Sequence, residues 1–148
     1  MNTAEIVFAS DLANLSAALD FVRAQCRFAG ASDDETFACE LATDEACTNI
    51  IEHAYQGRKD GEIRLTCLWA DEVFIIRLHD YGQPFDPTAV AVPPRAARLE
   101  DVEIGGLGLH FMRSLMDEIR FEFDPAGGNT LTMVKRLSHG AAAPREPR

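Results

Sequence analysis

Residues Glu40–Tyr55 read ELATDEACTNIIEHAY. At about 100° per residue, Glu45, Asn49, Glu52 and His53 gather on one side of a helix, while Leu41, Ala46, Ile50, Ile51 and Ala54 lie mostly elsewhere. Such a helix turns its polar stripe either to water or to a ligand. Asn in mid-helix costs propensity, because its amide competes with the backbone, and its oxygen is a good ligand for Mg2+. A Glu one turn earlier has the reach to act as a base toward a hydroxyl or water held beside it. On this segment alone, both readings stand.

Working outward, the SDDE run at Ser32–Glu35 is a capping box that starts this helix, and Gly57 ends it after about Tyr55. Upstream, residues 4–9 (AEIVFA) form a strand candidate and Ser10 or Asp11 can cap a first helix. Leu12, Leu15, Leu19, Val22 and Cys26 give that helix one apolar stripe, and Gly30 stops it. From Gly61 the period changes to two: Ile63, Leu65, Cys67 and Trp69 alternate with Arg64, Thr66 and Leu68. After a turn at residues 70–72, VFIIRLHD continues as a strand apolar enough to be central, with both faces covered or nearly so.

Residues 82–106 are rich in Pro, Gly and Ala without a period, a loop long enough to be functional or mobile. GGLGLHFMRSLMDE then opens a helix on glycines, with Leu109, Met112, Leu115 and Met116 as its buried stripe. IRFEF and TLTMVKRL, joined by the DPAGGN turn, close the pattern as a hairpin. This order predicts an α+β two-layer sandwich, a mixed, mostly antiparallel sheet with helices packed on one face. One domain spans residues 1–137, and the small, Pro-containing residues 138–148 read as a disordered tail.

The composition narrows the function classes. A net charge of -10 argues against a broad grip on nucleic acid. No apolar run approaches the roughly 20 residues that span a bilayer, and the N-terminus lacks a leader pattern, so a cytoplasmic location is expected. Cys26, Cys39, Cys47 and Cys67 fall inside periodic segments without C-x-x-C spacing and read as small buried hydrophobes. Trp69 reads as hairpin packing, and His53 as structural. His79 and Asp80 are consecutive strand residues on opposite faces, which argues against a metal pair.

Two further motifs carry chemistry. HDYGQPFDP (residues 79–87) ends an apolar strand. Asp80 emerges there, Gly82 lets the backbone turn closely around a ligand, and a carboxylate in an apolar pocket selects a group that donates, such as an amino group. GGLGL (residues 105–109) exposes backbone N–H groups at a helix N-terminus, where the dipole favours phosphate. Each motif alone also has an ordinary structural explanation. Their order and separation resemble the Bergerat ATP-binding fold of the GHKL superfamily over about residues 5–137, and within it the stand-alone bacterial anti-sigma-factor serine/threonine kinases, a histidine kinase-like ATPase domain.

The resemblance implies ATP and Mg2+ as cofactors, Asn49 as the Mg2+ ligand and Glu45 as the catalytic base. It makes Asp80 the acceptor for the adenine amino group, and Gly82, Gly106, Leu107, Gly108 and Leu109 nucleotide contacts. It further implies phosphorylation of an anti-anti-sigma (STAS) partner, sequestration of a sigma factor and, by analogy, a homodimer. Pro84 departs from the superfamily's Asp-x-Gly-x-Gly, and Gly128, Asn129, Thr130 stand where a Gly-Thr pair is common, so the adenine contact in the last hairpin stays unassigned. Arg95 and Arg98 face either phosphate, a partner or solvent. A nucleotide-gated binding regulator, a detached histidine-kinase ATPase module and a simple ATPase remain the alternatives.

Overall fold

Alternating side chains build one antiparallel sheet. The computed structural model describes residues 1–84 and 112–138. Its strands are β1 (Asn2–Ala9), β2 (Glu62–Ala70), β3 (Val73–Asp80), β4 (Glu118–Asp124) and β5 (Gly128–Arg136), in the spatial order β1-β2-β3-β5-β4. Every pairing among the described residues is antiparallel. Ile63, Leu65 and Cys67 on β2, Phe74, Ile76 and Leu78 on β3, and Leu131 and Met133 on β5 point to one face and are buried. Trp69 stacks on Phe74 at 5.9 Å, directly across the β2–β3 ladder.

That face is covered by α1 (Leu15–Ala29) and α2 (Asp33–Asn49). Asp11 caps a short 3-10 turn at Leu12–Asn14 that leads into α1. Gly30 closes α1 in the left-handed region at φ 82°, a conformation glycine adopts without a Cβ penalty. Ser32 and Glu35 form the expected capping box at the start of α2. Ala18, Val22 and Cys26 of α1 and Cys39, Ala42 and Ala46 of α2 join the sheet residues in one core. All four cysteines are free and buried, and burial pushes the Cys47 thiol up to about 12.

Two features depart from the sequence reading and a third follows it. The α-helical part of the second helix ends at Asn49, and Ile50–Ala54 form a π-turn in which the Tyr55 amide donates to the Ile50 carbonyl. β3 is central as expected, yet its outer face stays partly open, with Arg77 exposed and Val73, Ile75 and His79 half-buried. Before β4, residues 112–115 are helical, with Met112 and Met116 buried in the core as the stripe requires. The Lys135 ammonium donates to the Leu115 carbonyl at 2.7 Å, a cation at the end of that turn. No helix among the described residues is long and apolar enough to cross a membrane.

Candidate nucleotide site

The strand register brings the first two polar groups together. Asp80 and Asn129 pair directly between β3 and β5 and occupy the last inward-facing position of β3 and the first of β5. A period of two that delivers Leu78 and Leu131 to the core thus delivers a carboxylate and an amide to its edge. Asp80 is 4% exposed and Asn129 6%. The Asp80 Oδ1 accepts from the Gly82 amide at 2.8 Å and from the Asn129 Nδ2 at 2.9 Å, and Asn129 also donates to the Gly82 carbonyl at 3.0 Å. The Asp80 Oδ2 accepts no hydrogen bond among the described residues. Burial raises the Asp80 pKa, while the Asn129 and Gly82 donors and the nearby His79 oppose that rise.

Asp80 and Asn129 line a cleft together with Ala46, Asn49, Ile50 and Ala54 of the helix and the rings of Phe121 and Phe123. Counted together with the open solvent at its mouth, the cleft encloses about 420 Å3. The two Phe rings stack nearly parallel, 7° apart at 6.3 Å. The cleft therefore has apolar walls and a few convergent polar groups, the pattern of a site for a flat apolar ring with polar edges.

Asn49 is the third polar group. It is 7% exposed, lines the cleft, and its side-chain amide makes no hydrogen bond to any described residue. Buried amides are almost always paired, so an unpartnered one aimed into a cleft points to a ligand. Glu45, one turn earlier, is half-buried; burial raises its pKa first, and Asp44 and Glu52 add to the rise. The π-turn begins immediately after Asn49, and its wider winding divides the four-residue stripe. Asn49 faces inward, whereas Glu52 is exposed and His53 half-buried.

The same turn clamps the β3 end. The Tyr55 hydroxyl, itself buried, donates to the Glu62 carbonyl at 2.5 Å and accepts from the Tyr81 amide at 2.8 Å. The Gln83 amide donates to the Ala54 carbonyl at 2.7 Å. Gly82 is obligatory here, because a Cβ would stand 2.5 Å from the Ala54 carbonyl oxygen. Its first role in this structure is thus to let β3 approach the helix.

Of the residues singled out in the sequence, Asn49 and Asp80 line one cleft; Gly82 is tied to it through its hydrogen bond to Asp80, and Glu45 lies one helical turn from Asn49 without lining it. Gly106, Leu107, Gly108 and Leu109, the 85–105 loop with Arg95 and Arg98, and the tail from residue 139 onward lie outside the described residues. Asn129 and Tyr55 were not singled out as site residues. A signal for Asn129 was present: in NTLTMV it shares the inward phase of Leu131 and Met133, and a polar residue in a core phase calls for a partner. The Thr130 hydroxyl lies on the other face, 2.9 Å from the His79 Nδ1.

The chain matches the model of the histidine kinase-like ATPase domain over residues 8–135. It is similar to the serine-protein kinase RsbW of Bacillus licheniformis, 34% identical, covering 74% of this chain and 69% of that protein. It is equally similar, at 34% identity with 71% of each chain covered, to the serine/threonine-protein kinase BtrW of Bordetella bronchiseptica. The anti-sigma F factor of Clostridium novyi is 31% identical over 70% of this chain and 73% of its own. Among solved structures, the RsbU and RsbW domains of a Mycobacterium tuberculosis protein superpose with a TM-score of 0.67 at 20% identity. That alignment covers 93% of this chain and 33% of the other, a likeness of fold.

Proposed function

Because the chain belongs to the histidine kinase-like ATPase family, with relatives named as serine-protein kinases and anti-sigma factors, we propose that it is an ATP-dependent protein serine/threonine kinase of a partner-switching system. The observation that carries this reading is the convergence of two unsatisfied polar groups on one apolar cleft. The Asp80 Oδ2 lacks a donor, and the Asn49 amide lacks any partner among the described residues. An adenine ring between apolar walls supplies the donor for Asp80.

The Asn49 side chain fits a hard divalent cation, since its amide oxygen is a ligand type that Mg2+ accepts and no described donor competes for it. With Mg2+ bound there, phosphate charge would be neutralised beside Asn49. Gly106, Leu107, Gly108 and Leu109, which lie outside the described residues, are the phosphate contacts that the family resemblance implies. Glu45 takes the proton from a partner's serine or threonine hydroxyl as that oxygen forms its bond to the γ-phosphorus and the bond to ADP breaks. Positioning and electrostatics supply most of the barrier reduction in such transfers. The net charge of -10 repels ATP at long range, so local contacts must carry the binding.

The phosphorylated partner is a small anti-anti-sigma (STAS) protein and the sequestered one a sigma factor, in the cytoplasm, with the kinase acting as a homodimer by family analogy. The test is transfer of labelled γ-phosphate to candidate STAS proteins, comparing wild type with Glu45→Gln. Transfer by wild type, with loss in the variant while nucleotide binding is kept, supports the proposal. Label released as free phosphate without a partner shows an ATPase instead, and ATP binding with no transfer to any candidate shows a binding regulator.

A further inference from the structure

We propose that Asn129 reads the purine edge beside Asp80, so that the site accepts a base through both hydrogens of an exocyclic amino group; this rests on the adenine-nucleotide reading above. The orientation of the Asn129 amide is fixed by its neighbours. Its two contacts, the Asp80 Oδ1 at 2.9 Å and the Gly82 carbonyl at 3.0 Å, are both acceptors, so the nitrogen faces them and both of its hydrogens are used. The remaining side-chain atom, the Asn129 Oδ1, is an acceptor with no donor among the described residues. Asp80 is in the same position, because its Oδ1 takes the Gly82 and Asn129 donors and its Oδ2 takes none.

Two acceptors on directly paired residues, each under 7% exposed, therefore line one cleft without donors among the described residues. A buried acceptor left unpaired costs free energy, and a ligand with a single N–H satisfies only one of the two. The 6-amino group of adenine carries two hydrogens and satisfies both. A 6-oxo purine presents one ring N–H beside an acceptor oxygen, which would oppose one of these oxygens. Thr130 does not compete for this role, since its hydroxyl is engaged with His79 on the other face of the sheet.

The experiment compares equilibrium binding of ATP, ITP and N6-methyl-ATP to wild type and to Asn129→Ser. Wild type is expected to bind ATP roughly tenfold or more tightly than either analogue, the scale of one lost hydrogen bond to a buried partner. In Asn129→Ser the advantage of ATP over N6-methyl-ATP shrinks to about twofold, because only Asp80 still demands a hydrogen. An unchanged ATP to N6-methyl-ATP ratio in the variant overturns the role of Asn129 while leaving the adenine reading intact. Wild type binding N6-methyl-ATP as tightly as ATP overturns it without any variant. Wild type that fails to prefer ATP over ITP overturns the adenine reading itself, and the inference with it.

Discussion

Gly82 and Ala54 touch where two separate sequence motifs meet: a Cβ on Gly82 would stand 2.5 Å from the Ala54 carbonyl oxygen and 2.8 Å from the Ala54 Cβ. The obstacle is mainly backbone, which cannot rotate away as a side chain can. Gly82→Ala should therefore push β3 off the π-turn and cost about 1–3 kcal/mol, the scale of overpacking. Urea denaturation measures the loss. ATP affinity should fall in parallel, because Asp80 is anchored through the Gly82 amide. A variant as stable as wild type would mean that the two elements separate freely.

Tyr55 ties the same junction through its hydroxyl, bonded to the Glu62 carbonyl and the Tyr81 amide, with Gly61 leaving room for its ring. Tyr55→Phe keeps the ring and removes both bonds, for an expected loss of about 1–3 kcal/mol by the cost of groups left unpaired. Hydrogen exchange at the Tyr81 amide should accelerate together with that loss. Unchanged exchange would show that the amide finds another acceptor.

Much of this arrangement was legible in the sequence, because its causes are local. The capping box at Ser32 and Glu35, the glycine stop at Gly30 and the period-two strands each follow from neighbouring side chains. The polar stripe was legible in position but not in orientation. A uniform 100° step keeps Glu45, Asn49, Glu52 and His53 together, whereas the π-turn after Asn49 leaves Asn49 inside and Glu52 outside. That turn depends on Ala54 and Tyr55 meeting β3, a contact made 26 or more residues away along the chain. The contact of Gly82 with Ala54 was not legible for the same reason: a close approach to a ligand and a close approach to a helix look alike in sequence.

In the proposed role of base, Glu45 must be ionised, and burial together with Asp44 and Glu52 holds its pKa above the ordinary carboxylate value. Phosphoryl transfer should rise with pH through an apparent pKa above the usual Glu value of about 4.3. The pH profile of kcat under saturating ATP and partner checks this. Glu45→Gln should leave a much lower and flat rate over the same window. A wild-type profile that stays flat as pH falls to the usual Glu value of about 4.3 would remove Glu45 from the proton transfer.

Asp80 links the site to stability. Its raised pKa means that the folded chain holds the proton more tightly than the unfolded one. The associated stabilisation is complete below the ordinary Asp value of about 3.9 and is lost as pH rises through the raised folded value. Asp80→Asn removes this component while the amide oxygen keeps accepting from Gly82 and Asn129. In the nucleotide-free protein, the Tm of Asp80→Asn relative to wild type should therefore increase as pH rises across that window. ATP should stabilise wild type and not the variant. A constant difference in Tm would place the Asp80 pKa at its unfolded value.

Asn49 gives the sharpest separation of folding from binding. Its amide is 7% exposed, and nothing among the described residues of the nucleotide-free fold satisfies it. Leu has the same number of side-chain heavy atoms in the same branching, a better helix propensity and no polar atoms. Asn49→Leu should therefore raise the stability of the nucleotide-free protein, by about 1–3 kcal/mol if the whole penalty is relieved, and shift the urea midpoint upward. Calorimetric titration of the same variant with ATP should show the Mg2+ dependence of binding abolished, because no side chain at that position can hold the ion. A destabilised Asn49→Leu would mean that the amide is already satisfied within the fold, and the reading of Asn49 as a ligand in waiting would fail on that result alone.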